Sequence, residues 1–181
     1  MCHETLTGSM MIFRLSQKLG QKLKTAATDT LPLDENPYAD WSAHLFTADR
    51  TQYIIVTNTK SLYSVVTRGK GITTGKRFTE RVLDAVREFM EDDGQEFVYR
   101  RFIEPASDDV QCSKALNRSV TGSLNELIKF AEPWLAEGVS PCEVGFRLND
   151  TLMSASATRE SQGYGRPREA FKLLADEGGE A

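Results

Sequence analysis

Apolar and polar positions recur along this chain with two different periods, and the switches between them mark out its elements. Ile12-Phe13-Arg14-Leu15 alternates apolar with other residues, as a short strand does. Ser16 is placed to cap a following helix, in which Leu19 and Leu23 share one face and Lys18 and Lys22 another. Thr28 to Asp40 carries two prolines and reads as a loop. A period of two then dominates. Trp41 to Thr47, Gln52 to Thr57 and Ser61 to Thr67 read as strands rich in β-branched and aromatic residues. Their connections are short enough to force antiparallel neighbours, which makes a three-strand meander. On the first of these strands His44 and Phe46 take one face, and Ala43, Leu45 and Thr47 the other.

The period changes to 3.6 after the glycines at 69, 71 and 75, which read as a plain connection rather than a phosphate loop. Phe78, Val82, Ala85, Val86, Phe89 and Met90 lie on one helical stripe, stopped by Gly94. Glu96 to Ile103 fits a short helix that Pro105 ends, and Val110 to Leu116 a strand. A second long helix is expected to open at Gly122 or Ser123, with Leu124, Leu127, Ile128 and Ala131 inward. Pro133 kinks or ends it. Glu143 to Leu152 alternates weakly, as an edge strand would. Ser154 to Gly165 reads as a linker, and Arg168 to Leu174 as a last helix. The pattern predicts an α+β fold: an antiparallel or mixed sheet built around the three-strand meander, with helices packed on one face. Residues 1–10 read as a disordered extension, 11–175 as a single domain and 176–181 as a disordered tail. The expected core gathers Phe46, Ile54, Val56, Val82, Val86, Phe89, Leu124, Leu127 and Ile128 in one place.

Composition narrows the function classes. A length of 181 residues suits one domain, and a net charge of −4 gives no global basic field for nucleic acid. Cys2, Cys112 and Cys142 are odd in number and far apart, and the chain has two histidines. A disulfide framework, a zinc site and a His-rich metal site are therefore not expected, and no cofactor signature appears. Reduced thiols in a cytoplasmic protein are the plain reading. No apolar run approaches the roughly 20 residues that span a bilayer.

The best candidate site is the segment Asn117 to Glu126, read as a loop entering a helix. The helix N-terminus offers N–H groups and partial positive charge, and Arg118 adds a full charge. Ser119, Thr121 and Ser123 add hydroxyls, and Gly122 permits close backbone approach, so together these suit phosphate or carboxylate. The competing reading is structural: Ser123 with Glu126 makes a capping box and needs no ligand. His44 is a weak candidate for a general base, with Cys112 as its partner only if their strands are neighbours. Arg14, Lys18, Lys22 and Lys24, with Arg100 and Arg101, form a modest basic stripe that could meet a nucleic-acid backbone. Glu91, Asp92 and Asp93 read as solvated charge. The leading expectation is a small cytoplasmic binding or regulatory module with an anion or phosphate site. The alternative is an enzyme or toxin-like factor acting on a phosphate-bearing substrate such as RNA, and a third reading buries the Trp134 face in a homo-oligomer. A pocket shared by Arg118 and His44 would favour the enzyme.

Three stretches resemble a bacterial family catalogued as a domain of unknown function: Arg14 to Leu19, Trp41 to Phe46, and Asn117-Arg118-Ser119-Val120-Thr121-Gly122-Ser123-Leu124-Asn125-Glu126-Leu127. The resemblance runs from about Met11 to Trp134. It implies one compact domain starting near Met11, and it brings no activity, cofactor or catalytic residue with it.

Overall fold

The computed structural model of the protein describes residues 10–156 and 165–177. The expected extension and tail lie mostly outside the described residues, as does most of the Ser154 to Gly165 linker. The meander forms as expected: β2 (Asp40–Ala48), β3 (Thr51–Asn58) and β4 (Ser64–Arg68) are antiparallel neighbours. At the β2–β3 hairpin Asp49 and Arg50 both hold positive φ, 44° and 64°, the twist that a tight turn between right-twisted strands requires. The first strand, β1 (Met11–Leu15), joins the other side of β2 in parallel. A fifth strand, β5 (Val110–Ser113), pairs in parallel with β1. The sheet is therefore mixed, in the order β4-β3-β2-β1-β5.

Helices cover both faces of this sheet, not one. Alternation sends Phe13, Trp41, Ala43, Ile54 and Val56 to one side. There they meet Leu19 and Leu23 of α1 (Gln17–Leu23) and the Phe78–Val82–Val86–Phe89 stripe of α2 (Gly75–Asp92). A short helix, α3 (Glu96–Val98), continues into a π-helical turn over Tyr99–Ile103 at the edge of this layer. On the other face Phe46, Tyr53, Ile55 and Val66 meet α4 (Arg118–Ala136) and α5 (Pro141–Asn149). All nine expected core residues are buried, yet they divide between two cores separated by the sheet. A last helix, α6 (Pro167–Glu177), seats Phe171 among Tyr38, Trp41 and Tyr63 on the α2 face.

Two elements differ from expectation. Glu143 to Leu152 is the helix α5 rather than an edge strand, because Ser140 caps it at Glu143 N–H and Pro141 takes its first position. Val144 and Leu148 then fall one turn apart on its buried face. Its end also protects the sheet: buried Asn149 accepts from Ser64 N–H at 2.7 Å and donates to Ser64 C=O at 3.0 Å, so a side chain supplies the pairing that edge strand β4 lacks. The other difference is α4, which begins at Arg118, several residues before Gly122, and runs through Pro133 to Ala136.

One buried ion pair ties the parallel half together. Arg14 and Asp40 have fully buried side chains and a two-pronged contact, Nε to Oδ1 and Nη2 to Oδ2, both 2.8 Å. The remaining Arg14 donors reach Leu31 O, Pro32 O and Ser113 Oγ. All five N–H groups of the guanidinium are thus engaged, and β1, β2, β5 and the loop before β2 are held by one side chain.

Candidate functional site

Strand lengths create an opening. Leu15, the last residue of β1, is in register with Ala43, while β2 runs on from His44 to Ala48. β5 stops in register with Arg14. Beyond these ends the two chains part. After β1 the chain enters α1, which packs on the α2 face, and after β5 it enters α4, which packs on the opposite face. Neighbouring parallel strands whose helices leave to opposite sides cannot close the space between them, and open α/β sheets bind ligands at such a point. Here the space is a cleft of about 710 Å³.

Its walls come from four segments. Gln17, Gly20, Gln21 and Lys24 form one stripe of α1 and the residue that caps it. Thr25, Ala26 and Ala27 continue that wall. Lys114 and Ala115 enter from the end of β5, and Thr121 from α4. His44 completes the lining from β2. The segment after α1 is strapped to the end of β5: Leu31 N–H donates to Ser113 Oγ at 3.0 Å and Lys114 N–H to Asp29 O at 3.0 Å. The Arg14–Asp40 pair holds the same strap through Leu31 and Pro32.

The lining carries two lysines, a histidine, two glutamines and no carboxylate. The reason is visible in the chain: Met10 to Thr28 and Val110 to Asn125 contain no Asp or Glu. Among the described residues the ammonium groups of Lys24 and Lys114 make no ion pair or hydrogen bond. His44 is 8% exposed, and burial pushes its pKa below the ordinary value of 6.5, while a hydrogen bond with the Asn125 side chain acts in the opposite direction. The ring is therefore neutral at pH 7, with one donor and one acceptor nitrogen.

The sequence-predicted site residues are only partly gathered here. Thr121 and His44 share the cleft; Arg118 does not line it and stands exposed at the first position of α4. The cap is Asn117, whose Oδ1 accepts from Val120 N–H at 3.0 Å, not Ser123. Ser123 lies inside the helix and donates to Ser119 O, and Thr121 Oγ1 donates to Asn117 O. Gly122 is on the helix exterior, with nothing within 4 Å of an added Cβ, so no close backbone approach needs a glycine there. Ser119 is exposed on the first turn. His44 and Cys112 do not meet: β1 lies between their strands, and Cys112 faces the α2 core. The basic stripe loses Arg14 to the buried pair, and Lys22 Nζ is held by Gln52 and Gly69. Asp93 is not merely solvated charge, since it accepts from Tyr63 OH at 2.6 Å and pairs with Arg168. Trp134 is covered by the Arg147 guanidinium, 5.5 Å from its ring centre. Lys114 and the glutamine stripe were missed in the sequence, and Lys24 was read only as part of the basic stripe. The signal that could have found them is the absence of acid from both segments.

No helix among the described residues is long and apolar enough to cross a membrane, and no cluster of described side chains has the make-up of a metal site. Comparison with proteins of curated function returns no match. Residues 12–170 match the family described as domain of unknown function DUF6933. With that match spanning most of its length, including β1, β2 and the first helical turns of α4 on which the cleft is built, this chain belongs to the DUF6933 family.

Proposed function

We propose that the protein is a small binding or regulatory module that takes an anionic small molecule in the cleft at the ends of β1 and β5. The observation that carries this reading is the lining itself: Lys24, Lys114 and His44 around one concavity, with no carboxylate to neutralise them. Two solvated ammonium groups facing a shared space raise the local concentration of anions and lose little hydration until one binds. The reading moves the anion site from the first turn of α4 to the cleft and keeps Thr121 in it. The two described thiols, Cys112 and Cys142, are unpaired, and a bacterial cytoplasm is the setting that suits them.

The test is a thermal-shift titration with phosphate and carboxylate anions. A ligand that binds only the folded chain stabilises it by about 2.7 kcal/mol at a hundred times its Kd, which is about 5–11 °C for a domain of this size. Lys114→Ala and Lys24→Ala should each cut the shift, and Arg118→Ala should not. The absence of any saturable shift would sink the proposal. An enzyme acting on a phosphate-bearing substrate such as RNA is the second reading, favoured by one observation: His44 lies in the cleft as a neutral ring able to accept a proton. Cleavage of short RNA that His44→Gln abolishes would establish it; binding without turnover supports the module.

A further inference from the structure

We propose that the ligand of this cleft is a small polyhydroxylated phosphomonoester, of the size of a phosphorylated sugar. This rests on the anion-binding reading above and adds the body of the ligand to its charge. Three features of the walls select it.

The first is the α1 stripe. Gln17 and Gln21 stand one turn apart, with Gly20 beside them leaving the wall flat, and Lys24 follows at the next turn. Each amide offers two donors and a carbonyl acceptor. Both side chains are exposed, and neither is hydrogen-bonded to another described residue. His44, neutral and opening on the same space, has one ring nitrogen engaged with the Asn125 side chain and adds the other. Hydroxyl groups, each donor and acceptor at once, satisfy such a wall. A fatty acyl chain would cover the amides and leave them unpaired, which is costly.

The second feature is the apolar part. It is the larger share of the lining but comes from short side chains, Leu15, Ala26, Ala27 and Ala115, and no Phe, Tyr or Trp lines the cleft. Sites that hold a nucleobase gain much of their affinity by stacking it on an aromatic ring. Small alkyl patches instead suit the C–H face of a sugar. The third feature is charge and size. Lys24 and Lys114 come from two separate walls, and a phosphomonoester carries nearly two negative charges at pH 7, against one for a carboxylate. Asp29, the first acid after α1, is outside the lining and its backbone carbonyl accepts from Lys114 N–H. A volume of about 710 Å³ is far larger than a phosphate ion needs and lies within the range of small-molecule sites.

The test is calorimetric titration of the full chain with inorganic phosphate, ribose, ribose 5-phosphate, adenosine monophosphate and octanoate. Ribose 5-phosphate should bind about tenfold or more tighter than phosphate, and ribose alone weakly. The double variant Gln17→Leu/Gln21→Leu should erase that advantage and leave phosphate affinity within about twofold. Lys24→Met/Lys114→Met should weaken both ligands by about tenfold or more. All four positions are exposed, so the variants should melt like the wild type. If ribose 5-phosphate binds no tighter than phosphate, or if the nucleotide or octanoate binds tighter, the polyol inference fails while the anion reading stands. If no anion binds, both fail.

Discussion

Asp40→Ala is the substitution that the structure makes most informative. It removes a carboxylate that takes two 2.8 Å hydrogen bonds from a guanidinium with no solvent exposure. Arg14 cannot shed its proton, so a full charge would remain buried with three of its five donors engaged and two stranded. Breaking a buried pair from one side costs about 3–5 kcal/mol. At about 2–4 °C per kcal/mol for a domain of this size, Tm should fall by about 6–20 °C. Chemical denaturation followed by circular dichroism, with thermal melts, gives both numbers. The double variant Arg14→Met/Asp40→Leu should recover part of the loss, because no charge is then buried. Full recovery is not expected: Leu31 O, Pro32 O and Ser113 Oγ lose the donor that satisfied them. The same strap lines the cleft through Thr25 to Ala27, so Asp40→Ala should also weaken anion binding at temperatures where the protein is folded. A loss below about 1 kcal/mol, the size of an exposed ion pair, would refute the reasoning.

Three further outcomes follow from particular contacts. Asn117→Ala should cost about 1 kcal/mol in denaturant midpoint through the lost cap, whereas Ser123→Ala should change stability by less than about 0.5 kcal/mol, since its hydroxyl only bonds back to Ser119 O; the reverse order would restore Ser123 as the cap. Gly145→Ala should destabilise by about 1–3 kcal/mol despite alanine's better helix propensity, because the new Cβ would lie 2.8 Å from Phe89 Cε2 in a ring already packed on Tyr63 and Phe146; a stabilised variant would show that the ring moves freely. The folded pKa of His44 lies below the 6.5 of the open chain, so the unfolded state binds the proton more tightly and stability, complete above about pH 6.5, should fall as pH drops through that window. Denaturant midpoints between about pH 5 and 8 should show that slope in the wild type and a shallower one in His44→Gln; equal slopes would remove His44 as its source.

Where a segment's own residues settle its conformation, the sequence was enough. Short connections forced β2, β3 and β4 to be antiparallel, and the stripe from Phe78 to Met90 made α2 a helix whatever surrounds it. Errors arose where local signals competed. Weak alternation in Glu143 to Leu152 hid the stronger start given by Ser140, Pro141 and Glu143. Ser123 with Glu126 has the spacing of a capping box, but Asn117, four residues after β5 ends, accepts from Val120 N–H, and the helix starts right after it at Arg118. Other features are not local at all. Nothing near Arg14 says that its partner is Asp40, or that β5 will lie beside β1, because both contacts are closed by chain far away in sequence and only burial makes them necessary. Division of the expected core into two layers follows from the parallel placement of β1 and β5, which sends α1 and α4 to opposite faces. The cleft is the residue of that same topology. In the sequence His44 was an isolated candidate base, Lys24 part of a basic stripe and Lys114 an ordinary polar residue. Their convergence was decided by two strands that end early beside a third that does not.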